Sequence, residues 1–359
     1  MAGLVYRGVC YDTGTNFDTD RGPLSRVVWD EGRMREDIRA IAEDLNCNAV
    51  TVYGTDLQRL AATSTAAAGH GLHVWLQPRL VDHPQAEILD HLAVMAVHAE
   101  GLRADGASVG LNIGCEHVFY TPHIVPGDTY CERMTNLFES GNAHPGARVE
   151  RRFVDVCAAM GRLREFLARA VAVARDGFGG GVTYGAAPFE DVDWSIFDLV
   201  GLSYYCSYHP TAEGYTAELE RFREWGKPIL ICEFGTSTYA GAAERGGLAF
   251  DIVDRGGRQP IVEDGYVRDE QAQADHHIRM LELFEQLGLH GASVYEFIDP
   301  TNPHSPDPRL DLDTASMAIV KTIRDDHADH RSPYRWEPKR SFHAIAAYYA
   351  EARARSQAA

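Results

Sequence analysis

The chain has no run of lysine or arginine, and its 52 acidic residues outnumber 34 basic ones, for a formal net charge of −18 over 359 residues. That field repels phosphate backbones and anionic lipid surfaces, so nucleic-acid and membrane partners are disfavoured. Neutral ligands meet no such barrier. No apolar run is long enough to cross a bilayer. No basic start followed by an apolar segment opens the sequence, so no secretory leader is expected. The seven cysteines are scattered singly and do not outline a disulfide framework. Cys10, Cys47, Cys206 and Cys232 lie in apolar segments, where cysteine serves as a small buried hydrophobe. A reducing, cytoplasmic home is expected. Internal repeats are lacking, and so is the Gly-rich phosphate turn of a doubly wound sheet. Tyr11-Asp12-Thr13-Gly14-Thr15 follows the first strand-like run and is not that turn. The cluster Gly177 to Gly181 precedes a strand, so it reads as a helix exit.

What remains is a regular alternation. Strands are expected at Leu4 to Tyr11, Asn48 to Tyr53, Leu72 to Leu80, Ser108 to Glu116, Gly181 to Ala187, Leu199 to Tyr205, Pro228 to Phe234 and Gly291 to Phe297. Amphipathic helices lie between them. Ile38, Ile41, Ala42 and Leu45 recur at helical spacing, and Asp56 precedes the next helix as a cap. Eight such strands predict one (β/α)₈ TIM barrel, a single catalytic domain over residues 1–359. Long loops are expected at about 117–148 and 235–265, and a closing segment from about 311 ends in a helix from Ser341 to Arg353.

A barrel of this kind carries its chemistry at the C-terminal ends of its strands. Those ends offer Tyr11 and Asp12, Tyr53, Arg79 and Asp82, Glu116 and His117, Tyr204, Tyr205 and His209, Glu233, then Tyr295, Glu296 and Asp299. Aromatic faces stack on sugar rings, and carboxylates accept hydrogen bonds from hydroxyls. Two carboxyls across a mouth can flank a glycosidic bond, one protonated as acid and one ionised as nucleophile.

Strand four ends Gly110-Leu111-Asn112-Ile113-Gly114-Cys115-Glu116, and strand seven ends Ile229-Leu230-Ile231-Cys232-Glu233-Phe234-Gly235. These resemble the two signature strands of glycoside hydrolase clan A, the retaining TIM-barrel glycosidases. The resemblance implies Glu116 as acid/base and Glu233 as nucleophile. Phe197 to Tyr205 is similar to that clan's strand six, where an aromatic near the end contacts the nucleophile. Gly71 to Leu76 and Trp336 to Phe342 are similar to its third strand and closing segment. More loosely, Arg7 to Thr15 resembles bacterial barrels labelled abortive-infection proteins, a label that carries no chemistry.

Two positions depart from the clan pattern. Cys115 stands where many members have Asn before the acid/base. Strand two has Thr51 where an Arg often lies near the nucleophile, so Arg7 or Arg79 on a neighbouring strand could supply that charge. The expected substrate-binding set is Arg7, Asp12, Tyr53, Arg79, His117, Tyr205, Tyr295 and Glu296. Tyr204 and Tyr205 alternate, so at most one faces the mouth. Cys115 and Cys232 each precede a glutamate and should point away from it unless a bulge intervenes.

No metal is expected. His276 and His277 are adjacent on a helix and diverge, and His117 with His123, or His304 with Asp307, lie in loops of a commonly solvated kind. The mechanism needs no cofactor. The expected partner is a small glycoside or oligosaccharide, with water or another hydroxyl as acceptor, and nothing in the sequence sets an oligomeric state. Two other readings fit the same residues: a sugar-binding barrel without turnover, and a barrel enzyme acting on a non-sugar.

Overall fold

The computed structural model describes residues 3–17, 24–138, 153–205, 212–257 and 259–358. Eight parallel strands form a nearly closed barrel flanked by helices, a (β/α)₈ TIM barrel. They are β1 (Tyr6–Asp12), β2 (Ala49–Gly54), β3 (His73–Pro78), β4 (Val109–Cys115), β5 (Gly181–Gly185), β6 (Val200–Ser203), β7 (Ile229–Phe234) and β8 (Gly291–Val294). Each pairs with its neighbour in sequence, and β8 returns to β1. Between β5 and β6 the ring closes through Ala186, whose N–H donates to Gly201 O at 3.1 Å and whose carbonyl accepts from Ser203 N at 2.8 Å.

The alternation of side chains explains why the sheet curls into a ring. Val9 and Tyr11, Val50 and Val52, Val74 and Leu76, Leu111 and Ile113, and Ile231 and Val294 share one apolar core that also contains helix residues. Each is essentially fully buried, worth about 1.5–3 kcal/mol apiece against exposure. The intervening positions face inward and are smaller or polar: Cys10, Thr51, Gln77, Asn112 and Ser293. Lower inside the ring, Trp75, Leu199, Leu230 and Cys232 pack together, with Tyr6 against them. Gly110 is needed there, because a Cβ would lie 2.2 Å from the Trp75 ring.

Helix starts follow local chemistry. Asp56 caps the helix Leu57–Gly69 by accepting from Gln58 N and Arg59 N. Pro84 precedes the helix Gln85–Ala104, whose bounds are those expected. The helix Glu31–Arg39 continues into a looser π-type turn, Ala40–Asp44. No described helix is long and apolar enough to cross a membrane.

The expected long loops are partly ordered into elements. The described part of the first holds the helices His117–Tyr120 and Tyr130–Leu137. Thr129 accepts from Glu132 N at 3.3 Å while Glu132 Oε2 accepts from Asp128 N at 2.8 Å. That Thr-x-x-Glu capping signal is present in the sequence. The remainder, to 148, lies outside the described residues, as do Cys206 and His209. The second loop contains a 3₁₀ stretch, Ala242–Leu248, and a two-stranded ribbon, Val253–Asp254 with Ile261–Val262. It builds its own small core from Tyr239, Ala249, Ile252 and Val262 against Leu312, Ala315 and Met317. The closing segment is an antiparallel pair, Val320–Arg324 with Tyr334–Pro338, followed by the helix Arg340–Ala358.

Candidate active site

The mouth is shaped by irregularities in the two strands that carry the glutamates. Along β4 the pairing with β5 shifts between Asn112 and Cys115, so three steps on β4 face two on β5. Along β7 both partners show an extra residue near Cys232: Leu202 pairs with Ile231 but Ser203 with Glu233, and Ala292 pairs with Ile231 but Val294 with Phe234. A bulge of this kind turns a neighbouring side chain onto the face it would otherwise avoid. Cys232 and Glu233 therefore both face the barrel interior. Cys115 does the same: its Sγ lies 3.3 Å from Ser203 Oγ and 3.4 Å from Glu233 Oε1. The exception allowed for a bulge applies at both cysteines, because strict alternation stops there.

Gly114 makes the β4 bulge possible. Its φ is +147°, and a Cβ there would lie 2.2 Å from His117 Nε2. Glu116 follows in the left-handed region at φ 44°, ψ 50°, a conformation costing a non-glycine residue roughly 1–2 kcal/mol. Surrounding bonds hold it. Glu116 N donates to Gly185 O at 2.9 Å, His117 N to the Tyr184 hydroxyl at 2.6 Å, and Val118 N to Glu190 Oε1 at 3.0 Å.

Glu233 is only 5% exposed. Its Oε1 accepts from Arg79 Nη2 at 2.6 Å, and its Oε2 from the Tyr205 hydroxyl at 3.2 Å. The Arg79 guanidinium also bonds Gln77 Oε1 at 2.5 Å and lies 4.2 Å from the centre of the Tyr53 ring. Glu116 has no such counter-ion. Burial pushes its carboxyl well above the usual carboxylate range, and the charges of Glu233 and Glu190 push it further, against a smaller pull from Arg79. No described residue hydrogen-bonds the Glu116 carboxyl. One glutamate is thus charge-compensated and the other is held toward its acid form.

The other expected residues divide. Tyr53, Arg79, Tyr205, Tyr295 and Glu296 come together. The Tyr53 hydroxyl lies 2.6 Å from Glu296 Oε2 and 3.1 Å from the Tyr295 hydroxyl. The Tyr205 and Tyr295 rings meet edge to face at 6.4 Å. Tyr204 turns the other way, onto Glu218 and the Tyr215 ring. Asp12 sits at the mouth, but its oxygens accept from Gly14 N, Thr15 Oγ1 and Ser25 Oγ, so they organise the loop after β1. Tyr11 points outward to Asp37 and Arg26. Asp82 pairs with Arg133.

Two expectations are corrected. Arg7 is the second residue of β1, at the end opposite the mouth, and its Nη1 donates to Leu4 O at 2.9 Å. It lies five steps before Asp12, about 16 Å along a strand. Arg79 supplies the charge beside Glu233. His117 is also turned into the core. Its ring nitrogens meet Thr121 Oγ1 at 2.8 Å and Ile113 O at 3.3 Å, and it stacks on Tyr184 and packs on Phe166. Burial pushes its pKa down to about 4, so it is a neutral core histidine.

Sequence reasoning missed Glu190, Tyr184 and Tyr120. Nothing local marks Glu190, whose importance comes from bridging the ends of β4 and β5. Tyr120 lies near Glu116 and forms an aromatic wall with Phe17 and Tyr130. The pair Phe119-Tyr120 after a strand end was a usable signal.

His304, Asp311 and Asp313 could in principle hold a metal ion, with ligand atoms within 4.8 Å of one another. Their charge is already met by protein cations. Arg268 pairs with Asp311 and Asp313, and Lys339 Nζ lies 2.9 Å from Asp313 Oδ2. His304 bonds Asp311, not Asp307.

Several solved glycosidase barrels share this fold. A GH113 beta-mannanase from Alicyclobacillus acidocaldarius superposes with a TM-score of 0.56 at 15% identity, over 97% of this chain and 98% of that one. A family 1 beta-glucosidase from Thermotoga maritima gives 0.57 at 15% identity, over 98% of each chain. A beta-D-glucuronidase from Dictyoglomus thermophilum gives 0.56 at 12% identity, over 97% of this chain and 51% of that one. The likeness is one of fold. No family model matches the chain, and no curated protein matches it by sequence.

Proposed function

We propose that this barrel is a retaining glycoside hydrolase or transglycosylase acting on a small glycoside or oligosaccharide. The observation that carries the reading is the unequal treatment of two carboxyls at one mouth. Glu233 has a guanidinium at 2.6 Å, and Glu116 is raised by burial and by the charge of Glu233 itself. In this reading Glu233 attacks the anomeric carbon and forms a glycosyl-enzyme. Glu116 gives its proton to the departing oxygen, then takes one from water or an acceptor hydroxyl that displaces Glu233. Tyr205 steadies the nucleophile, and Tyr53, Tyr295 and Glu296 line the sugar's approach. Neither cofactor nor metal takes part. A reducing, cytoplasmic setting belongs to the same reading. One catalytic domain over the whole chain fits the barrel, the loops and the closing segment.

The test is a screen of aryl glycosides and oligosaccharides, with Glu233→Gln as control. Turnover should fall by at least about a thousandfold in the variant while sugar binding survives. Near-wild-type turnover would remove Glu233 as nucleophile. Sugar binding without turnover in the wild type would favour a barrel repurposed for binding, with Cys115 in place of the clan's Asn as its mark.

A further inference from the structure

We infer that Cys115 is a positioning residue for this mouth: its thiol donates to Oε1 of Glu233 and, with Arg79, fixes that oxygen so that Oε2 is presented to a bound sugar. The inference rests on the sugar-directed reading above and adds a residue to that site.

The β4 bulge brings Cys115 there. Pairing with β5 shifts between Asn112 and Cys115, and Cys115, 2% exposed, ends opposite Gly185. Its Sγ lies 3.4 Å from Glu233 Oε1 and 3.3 Å from Ser203 Oγ. Burial, and then the charge of Glu233, pushes the thiol well above its usual range, so the sulfur keeps its proton. A thiol has one proton, and a carboxylate paired with a guanidinium only accepts. That proton is therefore directed at Glu233, and the Ser203 hydroxyl donates to the sulfur. The donors form a file across three strands, from Ser203 on β6 through Cys115 on β4 to Glu233 on β7.

The other buried cysteines beside the mouth are used differently. Cys10 Sγ donates to Cys232 O at 3.3 Å, and Cys232 Sγ lies 4.0 Å from Leu230 O. Those are backbone contacts of small buried hydrophobes. Cys115 instead meets the oxygen that also accepts from Arg79 Nη2 at 2.6 Å. A carboxylate oxygen offers about two acceptor directions, so Oε1 is filled by the guanidinium and the thiol. Of the two directions on Oε2, the Tyr205 hydroxyl at 3.2 Å takes one. The other is the one for the anomeric carbon. Without the thiol, Oε1 keeps only Arg79. The carboxylate is then freer to turn about its soft terminal torsion, which takes Oε2 out of line for attack.

The experiment compares Cys115→Ser with Cys115→Ala in the full chain. A thiol that only filled space would be replaced better by alanine than by serine, which buries a hydroxyl. A thiol that donates gives the opposite ranking. On an aryl glycoside found by the substrate screen, kcat/KM should fall about 10-fold in Cys115→Ala and stay within about threefold of wild type in Cys115→Ser. Equal losses in both, serine below alanine, or no loss in alanine would overturn the positioning role and leave hydrolysis standing. Infrared spectroscopy supplies an arm that needs no turnover. The S–H stretching band lost in Cys115→Ser belongs to Cys115. In Glu233→Gln that band should move to higher frequency, because an amide is a weaker acceptor than a carboxylate. A band that stays in place overturns the contact. A band that moves while the wild type hydrolyses no glycoside supports the contact and sinks the hydrolytic reading instead.

Discussion

Arg79, at the end of β3, places its Nη2 2.6 Å from Glu233 Oε1 on β7, across the barrel mouth. Both groups are nearly buried, so each charge depends on the other. Arg79→Gln should cost about 3–5 kcal/mol of stability, because it strands a desolvated carboxylate. Adding Glu233→Gln should restore a large part of that loss, with a coupling of about 1–3 kcal/mol in a double-mutant cycle. Urea denaturation of the four proteins measures it. Strictly additive costs would mean the pair is not coupled.

Glu116→Ala should lower hydrolysis of substrates with poor leaving groups by about 10²–10⁴-fold. Substrates with good leaving groups need little protonation and should still form the glycosyl-enzyme, then stall. Azide needs no general base, so it should rescue turnover as a glycosyl azide. In the proposed mechanism Glu116 acts from its acid form, and its pKa is raised. Wild-type activity should therefore fall as pH rises through that value, and Glu116→Ala should lack the alkaline limb with activated substrates. An alkaline limb that persists would assign the proton to another group.

Glu190 accepts from Val118 N at 3.0 Å, Ala187 N at 2.7 Å and the Tyr184 hydroxyl at 2.8 Å, and burial pushes its carboxyl up to about 7. Glu190→Ala leaves those buried donors without acceptors, at roughly 1–3 kcal/mol each. The left-handed turn at Glu116 should loosen with them. The expected signature is a stability loss together with a larger drop in kcat for poor leaving groups than for good ones. Equal losses across leaving groups would leave Glu190 a purely structural residue.

His117 holds its proton only below about pH 4 in the fold, against 6.5 for the free side chain. The unfolded chain therefore binds more protons between those values, and this group's stabilisation is lost as pH falls through that window. The advantage of wild type over His117→Gln should grow by about 3 kcal/mol from pH 4 to pH 6.5. Comparison of the two proteins is needed because Glu190 acts in the opposite direction, losing its contribution as pH rises from 4.5 to about 7. A constant difference across pH would show that His117 is not buried in neutral form.

Much of the fold is legible because its signals are local. The helical spacing of Ile38, Ile41, Ala42 and Leu45 and the cap at Asp56 depend on neighbours a turn away. So does the strand alternation that sends Tyr204 to Tyr215 and Tyr205 to Glu233. The order of eight strands then dictates which ends share a mouth, and Glu116 and Glu233 stand out there because an isolated carboxyl in an apolar strand is costly.

The sequence by itself determined the barrel, its strand order and the two glutamates at its mouth. Only the tertiary structure decided how the side chains of that mouth point and pair. The bulges at Gly114-Cys115 and Cys232-Glu233 arise from pairing with strands 70 and 30 residues away in the chain, as Cys115 with Gly185 and Ser203 with Glu233 record. Arg7 and Arg79 look equally able to reach Glu233 until strand direction puts Arg7 at the far end. His117 looks like a site residue until helix Val156–Gly177 covers it with Phe166. Glu190 has no local mark at all. Each outcome depends on a through-space neighbour supplied by a distant segment, and periodicity carries no information about such neighbours.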